Sequence, residues 1–169
     1  MVLLVAGLTG CASILAYWDL DTNLISSSYR AADTLLARMV PPIGPDQPIL
    51  AASFVNIDNL EETSGLGRTI SEQVASRLTE RGYIVVEMKL RKTIFMSNSK
   101  GGQFMLSREL RNISLEQNVQ YVVVGTYSVA NYVIYVSSAV VNPTDNTLLA
   151  TYSYKLPLGS NNRALLEKH

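Results

Sequence analysis

Apolar positions follow one rhythm in the first two thirds of this chain and another in the last third. From Ser26 onward, Ala31, Ala32, Leu35, Leu36 and Met39 fall on one face of a helix that Ser27 or Ser28 can cap. Pro41-Pro42, Gly44-Pro45 and Pro48 stop it, because proline lacks the amide donor and biases its predecessor away from helix. Ile49 to Val55 is a compact apolar run of strand length, followed by a polar loop from Asn56 to Gly65. Leu66, Ile70, Val74 and Leu78 recur four apart and predict a helix over 66–81, with Gly82 just past its end. Tyr83-Ile84-Val85-Val86 opens a second short strand, near 83–88. Two such strands joined by an amphipathic helix form a βαβ unit, parallel and right-handed, with Ile70, Val74 and Leu78 buried on the sheet.

Between residues 89 and 106, Ile94-Phe95-Met96 and Phe104-Met105-Leu106 flank Ser97-Asn98-Ser99-Lys100-Gly101-Gly102, a spacing that suits a hairpin or flap. Ser107 opens a further helix through Gln117, with Leu110, Ile113 and Leu115 as its apolar positions. After Tyr121 the pattern is that of β-structure. Tyr121–Val129 and Tyr132–Val141 are rich in Val and Tyr, with Ala130-Asn131 as a tight turn between them and Asn142–Asn146 as a second turn. In the final strand Leu148, Ala150, Tyr152, Tyr154 and Leu156 alternate with polar residues, so one face is expected buried and one wet. The order α-β-α-β-flap-α-β-β-β predicts a single α/β (α+β) domain with a mixed β-sheet. Parallel βαβ crossovers come first, an antiparallel meander follows, and helices pack on the sheet.

The N-terminus carries a different signal. Met1-Val2-Leu3-Leu4-Val5-Ala6-Gly7 is a short apolar core that runs into Leu8-Thr9-Gly10-Cys11. This has the form of a secretory segment and cleavage site, and its end resembles the lipobox of bacterial lipoproteins. That resemblance implies a lipid on Cys11, cleavage before it, and, with Ala12 rather than aspartate next, export to the outer membrane. The alternative is a chance cysteine, but the only cysteine of the chain falls where the motif requires one. No Lys or Arg precedes the apolar run, so the natural start is expected further upstream or the sequence is trimmed. The expected organisation is a signal peptide over 1–10, a lipidated tether over 11–25, the domain over 26–158 and a C-terminal tail over 159–169. Tyr17 and Trp18 in the tether are read as a packed aromatic pair or as residues of the membrane interface.

Composition narrows the function. With 169 residues the chain suits one domain, and 14 basic against 14 acidic side chains leave no basic excess for a nucleic-acid partner. One cysteine and one histidine form neither a disulfide nor a zinc cage. No run of about eighteen apolar residues marks a membrane-spanning helix. The one histidine is the final residue, His169, which leaves no Ser-His-Asp arrangement. Asp58, Glu61 and Glu62 lack the spacing of a calcium loop and read as a solvated loop feeding a helix N-terminus. Ser64-Gly65-Leu66-Gly67-Arg68 lacks the ending of a phosphate cradle, and helix capping with a tight turn accounts for it. No catalytic residue, metal ligand or cofactor is expected.

Local charge is less even. Seven basic residues (Arg81, Lys89, Arg91, Lys92, Lys100, Arg108, Arg111) stand against Glu87 and Glu109. That excess either steers an acidic partner or is scattered over several faces. Lys89, Arg91, Lys92 and Phe95 are the candidate partner contacts, with a satellite core as the other reading of the flap residues.

Several segments together resemble the FlgO family of flagellar outer-membrane proteins. They are Ser53-Phe54-Val55-Asn56-Ile57-Asp58-Asn59-Leu60, Leu66-Gly67-Arg68, Glu72-Gln73-Val74-Ala75-Ser76-Arg77-Leu78 and Arg81-Gly82-Tyr83. Met105-Leu106-Ser107-Arg108-Glu109-Leu110, Val124-Gly125-Thr126-Tyr127 and Tyr152-Ser153-Tyr154-Lys155-Leu156-Pro157 complete the set. The resemblance runs from about Ser26 to Pro157. It implies a fold like the N-terminal domain of the TolB translocation protein and a non-catalytic binding or scaffold role near the flagellar basal body. The implied partners are the outer membrane, through the lipid on Cys11, and basal-body or outer-membrane ring proteins. Peptidoglycan and a second copy of the chain are left open. The same broad fold occurs in lipoprotein activators of peptidoglycan synthases and in the curli secretion channel, which are the alternatives.

Overall fold

Asn23, rather than Ser27 or Ser28, caps the first helix. In the computed structural model, which describes residues 23–44, 46–61, 63–87, 95–97 and 104–167, Asn23 Oδ1 accepts the Ser26 amide at 3.1 Å and opens α1 (Leu24–Arg38). Asparagine is among the strongest N-caps, so it claims the helix start ahead of the serines. Ser28 instead turns inward and is buried beside Ala31, Ala32 and Leu35. The last two positions of the expected tether, Leu24 and Ile25, therefore belong to the domain.

The apolar run 49–55 is two short strands, β1 (Ile49–Ala51) and β2 (Val55–Asn56), separated by a bend. In the bend Phe54 N–H donates to the Gly67 carbonyl at 3.2 Å, and the Phe54 carbonyl accepts Thr63 Oγ1 at 2.9 Å. Ser71 Oγ donates to the Ala52 carbonyl at 3.0 Å. The helix α2 (Gly65–Glu80) comes so near that the strand exchanges ladder bonds for bonds to the helix. Ser64 caps α2, accepting the Gly67 amide at 3.2 Å, and Gly82, at φ +88°, closes the turn after it. As expected, Leu66, Ile70, Val74 and Leu78 are buried.

The chain continues through β3 (Val85–Glu87), then β4 (Phe95–Ser97) and β5 (Phe104–Leu106), which pair antiparallel as the expected hairpin. Next come α3 (Arg108–Glu116), β6 (Tyr121–Val129), β7 (Val133–Val141), β8 (Leu148–Pro157) and α4 (Ser160–Leu166). The main sheet runs in the order β3-β1-β6-β7-β8, with β2 also paired to β6. β1 lies parallel to both β3 and β6, while β6–β7 and β7–β8 are antiparallel. This is the mixed sheet, crossovers first and meander last.

Each face has its own core. Ala32, Leu35, Ile70, Val74 and Leu78 of α1 and α2 meet Val123, Tyr127, Ile134, Val136, Ala150 and Leu156 on the first face. On the second, Leu106 of β5 and Leu110 of α3 meet Leu50, Val55, Val122 and Val124. That cover reaches β1 and β6 but leaves Tyr135, Ser137, Thr151, Ser153 and Lys155 of β7 and β8 exposed.

Local departures from the pattern have identifiable causes. Leu148, expected inside, is 63% exposed, because a bulge at Val140/Val141 shifts the register so that Ala150 faces Val140 while Leu148 faces Val141. Leu115 is 66% exposed, since α3 buries the stripe of Leu110 and Ser114, and one further residue turns the side chain about 100° away. The β6–β7 turn centres on Asn131-Tyr132, with Ala130 N–H donating to the Val133 carbonyl at 2.9 Å. The expected tail past 158 includes α4, whose Leu165 and Leu166 pack on the first core.

Candidate functional site

Two polar features stand out. The first ties the helices together. Arg77 of α2 grips Asp33 of α1 with both arms, Nε to Oδ1 at 3.1 Å and Nη2 to Oδ2 at 2.9 Å. Its third nitrogen donates to Glu80 at 2.9 Å, and Arg81 Nε adds a further bond to Asp33 Oδ1 at 2.8 Å. Tyr29 donates its hydroxyl to Glu80 at 2.9 Å, and the Arg77 guanidinium sits 5.2 Å from the centre of the Tyr29 ring. Bidentate, charge-assisted geometry of this kind is the strong form of an ion pair. The hydrogen bonds from Arg77 and Arg81 hold the Asp33 carboxyl down at about 2. Arg81, one of the seven basic residues of the stretch, is thus engaged by a structural partner while its side chain stays half exposed.

The second feature is a trough of about 560 Å³ on the half of the second sheet face that no described element covers. Thr126, Ser137, Ala139 and Ser153 belong to its floor, and Leu106, Leu148 and Asp145 stand around it. Three adjacent strands supply the floor because alternate residues of each point to the same side. Ser137 Oγ and Ser153 Oγ lie 3.2 Å apart across β7 and β8. At the rim, Asp145 Oδ1 accepts the Thr147 amide at 2.9 Å, a bond that leads in lowering its pKa, so the carboxylate is charged at neutral pH. Asn146, in the left-handed region at φ 61°, accepts the Leu106 amide on its side chain at 3.2 Å and pins β5 to the β7–β8 turn. Of the floor hydroxyls, those of Ser137 and Ser153 bond to each other.

Of the candidate contacts named from sequence, Phe95 alone is among the described residues. Cys11, Lys89, Arg91 and Lys92 lie outside the described residues, as do Tyr17, Trp18, Glu62, Ile94, Lys100 and His169. Phe95 is on β4, in register with Leu106 of β5. Asp58 and Glu61 sit in a turn built by asparagines: Asn56 Oδ1 accepts the Asp58 amide at 3.0 Å, and Asn59 Oδ1 the Glu61 amide at 3.3 Å. Among the described residues no group of three or more His, Cys, Asp and Glu gathers as a metal would require. At Gly67 a Cβ would overlap the Phe54 carbonyl oxygen, so close helix–strand approach accounts for this glycine. Nothing in the sequence marks the trough, because small hydroxyls on a strand are ordinary. The Asp33–Arg77 pair spans 44 positions and is equally silent, although Arg77 and Arg81, four apart, share a helix face.

Known proteins place this architecture. The chain is similar to the LpoB C-terminal domain from Salmonella enterica, with a TM-score of 0.54 at 7% identity, covering 79% of this chain and 98% of that one. The LpoB C-terminal domain from Escherichia coli gives a TM-score of 0.54 at 10% identity, covering 82% of this chain and 100% of that one. A PelC dodecamer structure from Paraburkholderia phytofirmans is more distant, with a TM-score of 0.47 at 16% identity over 74% of this chain and 84% of that one. At these identities the likeness is one of fold. No curated protein sequence matches the chain. The family model described as FlgO protein matches residues 29–161, from the middle of α1 into α4, and the chain therefore belongs to the FlgO family.

Proposed function

We propose that this protein is a non-catalytic lipoprotein of the outer membrane, acting in flagellar assembly, stability or motility as a binding or scaffold component near the basal body. The observation that carries this reading is the family match over residues 29–161. Among the described residues no helix is long and apolar enough to cross a membrane, which accords with anchoring by lipid on Cys11 and a domain in the periplasm. Two or more acyl chains provide stable attachment, where one alone is marginal. Confinement at a surface raises the effective concentration of neighbours, so weak contacts suffice for assembly. Lys89, Arg91, Lys92 and Phe95 remain the proposed contacts, and the trough between β7, β8 and Leu106 adds a recessed face of the right size for recognition.

A second reading is activation of a peptidoglycan synthase from the periplasmic side; the fold shared with the LpoB domains favours it. A clean deletion in the source organism, scored for motility, retention of flagella and cell-wall synthesis together, separates the two. Poor swimming or shed flagella is the expected result. Normal flagella with impaired wall synthesis would install the second reading.

A further inference from the structure

Among the described residues β8 is an edge strand, paired only to β7. Its amide groups alternate in direction. Leu158 N–H donates to the Tyr132 carbonyl across the ladder at 2.9 Å, and the register is continuous from Ala150 to Pro157. Even-numbered residues of this stretch therefore turn their backbone groups toward β7, and Thr151, Ser153, Lys155 and Pro157 turn theirs outward.

The two ends of that outward row are occupied. Arg38, the last residue of α1, donates Nη1 to the Thr151 carbonyl at 2.6 Å, its guanidinium 5.5 Å from the centre of the Tyr152 ring. Asn162 of α4 donates Nδ2 to the Pro157 carbonyl at 2.8 Å, and Pro157 has no amide to offer. Between them only Ser153 and Lys155 present a donor and an acceptor each. Sheet edges invite pairing with another chain, and covering them is how folds suppress it.

We infer that the outer edge of β8 is a pairing surface for a second copy of this chain, and that Arg38 holds it shut. The row is self-complementary. An antiparallel pairing with its two-fold axis at Ser153 sets Thr151 against Lys155 of the second copy and Ser153 against its own equivalent. No like charges oppose one another. Tyr152 meets Tyr154 of the second copy, an aromatic cross-strand pair of the stabilising kind. With Arg38 on Thr151 the outer Thr151–Lys155 pairs are blocked, and the central Ser153 pair is left alone. Removing Arg38 frees both outer pairs.

The test uses the full chain with Cys11→Ser in every arm, so that acyl chains do not drive association. Sedimentation velocity is run up to about 100 μM, in the range where weak self-association becomes visible. The reference protein is expected to remain monomeric. Arg38→Ala, and Arg38→Gln as a variant that keeps part of the stem, should dimerise with an affinity at least about tenfold tighter, as a few added net hydrogen bonds imply. Adding Ser153→Pro to Arg38→Ala removes the central outward amide without touching the β7 ladder, and should restore the monomer. Circular dichroism confirms the fold in each arm. The inference is overturned if folded Arg38→Ala and Arg38→Gln stay monomeric. It is equally overturned if the dimer survives Ser153→Pro, or if the reference protein dimerises as tightly as the Arg38 variants.

Discussion

The ring of Phe54 occupies the space that a side chain on Gly125 would fill. Phe54 is fully buried in the bend between β1 and β2, and Gly125 lies beneath it on β6. The carbonyl of the same phenylalanine abuts Gly67 of α2, so one residue is wedged between two glycines on two elements. Bend, helix approach and strand are thereby locked as a unit.

Gly125→Ala should accordingly destabilise the domain by ~1–3 kcal/mol, the usual cost of overpacking a core. Phe54→Ala should cost ~3–5 kcal/mol through the cavity it leaves. In the Phe54→Ala background the Gly125→Ala penalty should shrink, because the clash partner is gone. Urea midpoints of the four proteins test this, and strict additivity would show that the two residues do not interact.

Leu78, Leu115 and Leu148 separate what the sequence reveals from what it hides. Leu78→Ala should cost ~2–5 kcal/mol, since this side chain is buried between α2 and the sheet. Leu115→Ala and Leu148→Ala should stay within about 0.5 kcal/mol of the parent, as exposed substitutions do. Thermal or urea unfolding of the three variants ranks them directly.

The period of four through Leu66, Ile70, Val74 and Leu78, the apolar runs at 49–55 and 83–86 and the Val- and Tyr-rich runs after Tyr121 are local properties, so helix, βαβ unit and mixed sheet are legible in them. The bulge that turns Leu148 outward depends on how β7 and β8 slide past one another, which no local pattern records. The break between β1 and β2 depends on how near Gly67 comes, and Asn23 outcompetes serines that look equally able. The trough was illegible for a related reason. Among the described residues α3 and β5 cover only half of a sheet face, and the residues of the trough carry no distinctive chemistry.

The Asp33 cluster makes a prediction about pH. In the fold its pKa is about 2, below the ordinary 3.8 that an unfolded chain would show. A depressed carboxylate contributes stability that is fully present above its unfolded pKa and is lost as pH falls toward the folded value. Stability should therefore decline between about pH 4 and 2, with Glu80 and Asp145, both lowered, adding in the same direction. Asp33→Asn should be less stable at neutral pH and should show a shallower decline over that window. Urea midpoints across the pH series check both points. An unchanged slope would mean that the Arg77 and Arg81 bonds do not govern the titration.

The anchor is tested at Cys11. With the lipid on Cys11, attachment lies twelve residues ahead of Asn23, the α1 cap, so attachment and folding should be separable. Each acyl methylene buried in the bilayer contributes ~0.8 kcal/mol, and a single chain holds only marginally, so losing the modification should release the protein outright. Cys11→Ser is expected to move it from the outer-membrane fraction to the soluble periplasm while its urea midpoint stays at the parent value. Motility should fall with it if tethering supplies the effective concentration that assembly needs. Intact-mass measurement of the parent protein should show an acylated N-terminal cysteine. An unmodified Cys11 thiol in the mature parent would remove the lipid from the proposed function, and a soluble variant that still supports full motility would leave the anchor without a role.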